Sequence, residues 1–156
     1  MSIPRPANSG YAIFCDDIRE EINGKTTYVG VYGGDMLIAA AAPVVIPQLC
    51  CLVQVLFDPD NLPESANILL KRFTEAGDQG PIASFDLPPL ASLPKPEYTP
   101  GFGDEVRRFA LSGVMKMSPF GIEEPCSLRA IAVIDGVEHR LGNLHVRLVD
   151  DLPLRQ

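Results

Sequence analysis

Over most of the chain apolar residues either alternate with polar ones or run in short blocks, and a 3.6-residue period is almost nowhere to be found. The C-terminal third shows this best. Leu128 to Ile134, Val137 to Leu141 and Leu144 to Val149 are separated by Asp135-Gly136 and Gly142-Asn143, pairs suited to tight turns. Two-residue turns pair Ile134 with Val137, Ala132 with His139, and Leu141 with Leu144. That register gathers Leu128, Ala130, Ala132, Ile134, Val137, Leu141, Leu144, Val146 and Leu148 on one face. Arg129, Glu138, Arg140, His145 and Arg147 take the other, with Glu138 across from Arg147. A slip by one residue inverts every assignment, so a three-stranded meander is predicted.

The same reading continues upstream. Tyr11 to Ile22 is a predicted strand, Asn23-Gly24 a hairpin turn, and Lys25 to Tyr32 the return. Gly33-Gly34 breaks the chain before a short strand at Met36 to Ala39. A helical turn could start at Ala39 to Ala42, but Pro43 and Pro47 cut it short. Leu49 to Phe57 (LCCLVQVLF) is apolar on both faces except at Gln54, which marks a central strand or one at a subunit contact. Asp58-Pro59-Asp60-Asn61 is a turn, Ile68 to Phe73 a strand, Ile82 to Leu87 a weaker one, and Phe109 to Met117 another. Residues 88–104 are rich in Pro and Gly and form a long loop.

Seven or eight short antiparallel strands imply an all-β fold, an antiparallel two-layer β-sandwich of Ig-like or C2-like type. One domain over residues 11–150 accounts for it, with a flexible arm at 1–10 and a tail at 151–156. The chain has 156 residues, 46% of them apolar, so it can bury a real core. With no Trp, that core is built from Val, Leu, Ile and Ala. Fifteen prolines and thirteen glycines disfavour long helices. A net charge of −7 without a Lys/Arg cluster disfavours nucleic acid and anionic membranes as partners. The densest basic points, Lys71-Arg72 and Arg107-Arg108, read as solvated strand faces. No signal-like or membrane-spanning stretch is present, so a cytoplasmic location is expected. There Cys15, Cys50, Cys51 and Cys126 are expected as buried free thiols.

The run Cys15-Asp16-Asp17-Ile18-Arg19-Glu20-Glu21, followed by Asn23-Gly24-Lys25 and Gly30-Val31-Tyr32, resembles the opening of an uncharacterised bacterial protein family. Members of that family begin with a CDD-R-E…GK…GVY pattern and end with a strand, a D-G turn and a return strand, as Ile134 to Arg147 do. The resemblance covers mainly residues 11–57 and 127–149. It implies a sandwich-like fold and supplies no catalytic residue.

Candidate chemistry is sparse. Asp16, Asp17, Glu20 and Glu21 could serve a metal or acid–base work, but on a strand Asp17, Arg19 and Glu21 share a face and pair. Asp16 falls with Phe14 and Ile18. Asp58 and Asp60 offer hard oxygen ligands, and a calcium site would add Asp35 or Asp104 from other loops. The same residues also suit an ordinary turn. His139 and His145 fall on opposite faces and cannot share a metal. No nucleophile–base pair, Walker loop, G-x-G-x-x-G or H-E-x-x-H is recognisable, and nothing calls for a cofactor. The 88–104 loop, with Pro94, Pro96, Tyr98 and Phe102, is a candidate contact arm for a partner or a second copy, or else lies on its own domain. The leading expectation is a non-enzymatic module that works through protein contacts or self-association. Its alternatives are a small-ligand or calcium-binding sandwich and, last, an unrecognised hydrolase.

Overall fold

A computed structural model describes residues 9–94 and 108–152. They form two open sheets packed face to face as a sandwich, and a short ribbon. The four-stranded sheet has the order β2-β1-β5-β8, from Thr26–Val31, Ser9–Glu20, Leu49–Phe57 and Phe109–Met117. The five-stranded sheet has the order β3-β11-β10-β6-β7, from Asp35–Ile38, Val137–Leu148, Cys126–Ile134, Ala66–Thr74 and Gly77–Asp86. β4 (Val44–Ile46) and β9 (Phe120–Ile122) make the ribbon, and Phe120 and Ile122 join the core. All pairs are antiparallel except β3 with β11, which is parallel, so the larger sheet is mixed. Among the described residues no helix is long and apolar enough to cross a membrane.

The core is mainly aliphatic, with Phe14, Phe57, Phe109, Phe120, Met36 and Met115 added to the expected Val, Leu, Ile and Ala. Alternate residues of β5 (Leu49, Cys51, Val53, Val55, Phe57) face alternate residues of β10 (Leu128, Ala130, Ala132, Ile134), all buried. Fully burying side chains of this size is worth about 1.5–3 kcal/mol each.

The C-terminal region is not the expected three-stranded meander. β11 runs unbroken through Gly142-Asn143, so this region is a two-stranded hairpin about the Asp135-Gly136 turn. Ile134 does pair with Val137, and Ala132 with His139. Beyond that, Arg140 pairs with Ile131 and Gly142 with Ala130, which leaves Leu141 as an extra residue in a bulge. The bulge shifts the face of everything after it, so Leu144 and Val146 still point inward without a second turn. It also puts His145 on the opposite face from His139. Glu138 pairs with Val133 and not with Arg147; Arg147 meets Asp35 of β3 instead, at 3.3 Å. Val137 is 59% exposed, although its pattern places it inside. Gly142 serves close approach: a Cβ there would lie 2.9 Å from the Ala12 Cβ of β1. Asp135 (φ 49) and Gly136 (φ 80) make a left-handed turn, and the Asp135 carboxylate accepts the Glu64 and Ser65 amides at 2.9 Å each.

Other boundaries move. Among the described residues eleven strands replace seven or eight, β4 and β9 being too short to show a period, and β7 extends back to Gly77. No helical turn forms at Ala39 to Ala42. β1 begins at Ser9, inside the segment read as an arm. Phe14 joins the main core while Ile18 joins a second cluster with Cys15, so face alternation breaks at Asp16-Asp17. In the 88–104 segment a 3-10 turn at Leu90–Ser92 buries Leu90 against its own core, with Leu87 and Leu93 beside it. Pro94 is exposed; Pro96, Tyr98, Phe102, Asp104 and Arg107 lie outside the described residues.

Gly142→Leu is expected to force the sheets apart and cost about 1–3 kcal/mol. At about 2–4 °C per kcal/mol that lowers Tm by several degrees, readable by circular dichroism. Gly33→Ala, where nothing lies within 4 Å, is the control and is expected to leave Tm unchanged.

Candidate functional site

The outer side of the four-stranded sheet has the unusual chemistry. Period-two alternation sends Ile13, Cys15, Cys50 and Leu52 away from the core, although all four are apolar. Three rows cross the sheet there. Val31, Cys15, Cys50 and Lys116 form the first, Ile13, Leu52 and Val114 the second, and Tyr11, Gln54 and Ser112 the third. Neighbouring side chains cover Cys15, Cys50 and Leu52 completely or nearly so. Val31, Val114 and Tyr11, by contrast, are 57%, 43% and 43% exposed. Gln54 donates to the Ser112 hydroxyl at 3.2 Å, which keeps the third row's polar groups paired. The result is a mostly apolar middle on an open β face, with Lys116 at the end of the first row.

A polar rim closes one end. Asp17 accepts from Arg19 at 3.0 Å and from the Gln48 amide at 3.0 Å, and Lys116 stands 3.8 Å from it. Lys116 also donates to the Ile18 carbonyl at 3.1 Å. Arg19, then Gln48, hold the Asp17 carboxyl below its ordinary range. Burial pushes the thiols the other way: Cys15 rises to about 11, with Cys50 and Asp16 adding to the effect, and Cys51 rises to about 12. Cys50 and Cys126 are also raised, chiefly by burial. All four cysteines are buried free thiols held protonated at neutral pH, a setting that disfavours a thiolate nucleophile.

The residues of the opening motif meet in the β1–β2 hairpin. Tyr32 donates its hydroxyl to Asp16, and Gly30, at φ 65, faces the same carboxylate, where a Cβ would collide with it. Burial first, then Asp16, raises the Tyr32 hydroxyl. Asn23 (φ 68) and Gly24 (φ 72) supply the left-handed backbone of the turn.

A family model described as "Family of unknown function (DUF6941)" matches residues 10–147. The chain belongs to that family. No curated protein and no solved structure matches it. In this DUF6941 chain the match spans both sheets, from the second residue of β1 to the penultimate residue of β11.

The calcium candidates are not brought together. Asp16 stands level with the start of β5 and Asp58 just past its end, about 30 Å apart at ~3.3 Å per residue. Asp58 caps its own turn, accepting the Asp60 amide at 3.0 Å, and Asp60 is exposed. Asp35 starts β3 in the other sheet and pairs with Arg147. Among the described residues no group of three or more His, Cys, Asp or Glu could hold a metal ion.

One pairing escaped the sequence. Ser127 and His145 are opposite each other across β10–β11, with Oγ 2.8 Å from Nδ1 and the Asn143 amide nitrogen 3.0 Å from Nε2. The two contacts hold the imidazole between Ser127 and Asn143, and the donor and acceptor roles of its nitrogens follow the tautomer. The pair depends on the Leu141 bulge, which no local motif announces.

Asp17 fixes a pH response. Its folded carboxyl titrates below 3.8, so the stability it contributes is present at neutral pH and is lost as pH falls through that lowered value. Urea midpoints measured between about pH 7 and about pH 2 are expected to drop less steeply at the acid end in Asp17→Asn than in the native chain. Equal acid slopes in both would show that the Arg19–Gln48 contacts do not stabilise the carboxylate.

Proposed function

We propose that this domain works by contact and not by catalysis, and that the outer side of β2-β1-β5-β8 docks against the same side of a second copy. The observation that carries this reading is the exposed apolar middle of that face, Tyr11, Val31 and Val114 around the half-buried Ile13 and the buried Leu52. An apolar face is its own complement, and a twofold contact brings the same patch of both copies together. Lys116, at the end of the first row, is the one charged side chain in these rows, and the remaining positions bring no like charges together at the centre. Sheets stacked face to face at ~10 Å are also how the sandwich itself closes.

Three strands over seven residues offer roughly 350 Å² per copy, taking ~4.8 Å between strands and ~3.4 Å per residue. That falls below the standard interface, so association is weak and concentration-dependent. A cytoplasmic setting accompanies the proposal, because Cys15 and Cys50 face each other across β1 and β5 and serve this face as thiols. The motif-bearing hairpin of the resembled bacterial family supplies Cys15 and Val31 to the same surface.

Light scattering after gel filtration, from about 10 μM to about 1 mM, tests it. The native chain is expected to gain mass towards a dimer as concentration rises. Val114→Glu, at an exposed position, is expected to stay monomeric with an unchanged Tm. A native chain that remains monomeric throughout, or a Val114→Glu chain that associates equally, would overturn the proposal.

A further inference from the structure

The opposite surface of the sandwich, the outer side of the five-stranded sheet, carries a groove of about 400 Å³ with a different chemistry. Four strands build it. Lys71 of β6 lies between Asp78 of β7 and Glu138 of β11, 3.4 Å from each, with its side chain only 17% exposed. Those contacts engage both acids of the groove. Arg129 of β10 stacks its guanidinium over the Phe73 ring, 4.2 Å from the centroid, and its Nε is buried without an acceptor. Arg140 of β11 lines the same groove and is exposed. Among the described residues neither arginine has a carboxylate within ion-pair reach or a hydrogen-bond acceptor.

These facts point one way. A buried N–H without an acceptor is costly and calls for an explanation. Stacking on an aromatic ring fixes the plane of a guanidinium and leaves its edge as a rigid fork of donors, the geometry that carboxylate and phosphate oxygens accept bidentately. Three cations against two anions leave an excess of one positive charge here, in a chain whose net charge is −7. The cleft is also of a size that small molecules occupy. We infer that this groove binds an oxyanion, the carboxylate or phosphate group of a small molecule, with Arg129 as the oriented fork and Arg140 as a second contact. Lys71, held by Asp78 and Glu138, sets the edge of the site and does not need to release its partners. The site is independent of the docking face, which lies on the other sheet.

Titration of the ¹⁵N-labelled chain with sodium phosphate, and separately with sodium malonate, against sodium chloride of equal ionic strength tests the assignment. Saturable shifts are expected at the amides of Lys71, Arg129 and Arg140 and at the Arg129 Nε–H signal, with either anion and not with chloride. Saturation with malonate alone supports a carboxylate ligand, and with phosphate alone a phosphate ligand. Arg140→Gln, at an exposed position, is expected to weaken binding about tenfold, the scale of one charge-assisted contact. Arg129→Gln is expected to abolish it. Arg19→Gln removes the same charge from the other sheet and is expected to change nothing. Shifts no larger than those with chloride would overturn the proposal. So would binding that Arg140→Gln leaves intact, or binding that Arg19→Gln weakens as much.

Discussion

Two sheets of aliphatic residues close into a sandwich here only because the backbone is left bare at the points of nearest approach. Gly142 comes against Ala12, Gly10 lies against Leu141, and Gly113 lies under the Phe85 ring. At these glycines side chains and backbone of the facing sheet take up the space a Cβ would fill, which keeps the interior dense. The Leu141 bulge then re-aims β11 so that Leu144 and Val146 reach the core on the far side of that contact. Once the inner faces are satisfied in this way, the apolar residues on the outside of β5 have no second sheet to cover them. Cys50 and Leu52 shelter among their neighbours, and Val114, Val31 and Tyr11 do not.

The two outer surfaces therefore divide the chemistry between them. One is aliphatic and uncharged along its middle, with Asp17, Arg19 and Lys116 confined to a rim. The other is a lattice of charged and hydrogen-bonding groups on β6, β7, β10 and β11, in which Lys71 is balanced by two acids while Arg129 and Arg140 have no carboxylate within ion-pair reach. An apolar face recognises shape and area, and a charged groove recognises a fork of oxygens. A fold without a nucleophile-bearing elbow or a metal cluster among its described residues can hold both in separate places.

Strands β5 and β8 have the bounds their residues suggest, because Leu49–Phe57 and Phe109–Met117 are long enough for a period to declare itself. The doubly apolar pattern LCCLVQVLF also announces the outer face, since Cys50 and Leu52 could not all point inward. Gly142-Asn143 misled for a physical reason: a glycine wanted for close approach and a glycine wanted for a turn look the same in sequence. The three-residue strands β4 and β9 carry no readable period. The groove was hidden for a different reason. Lys71, Asp78, Arg129, Glu138 and Arg140 are scattered over seventy positions, and only the β7-β6-β10-β11 order brings them together.

Amide spectra of the native chain recorded over a dilution series test the docking claim most directly, because they locate a weak contact as well as detect it. Shifts that grow with concentration and cluster on β1, β5 and β8, around Tyr11, Leu52 and Val114, are expected, while the outer face of β6 and β10 stays silent. Spectra that do not change with concentration, or changes centred on Arg129 and Phe73, would contradict it.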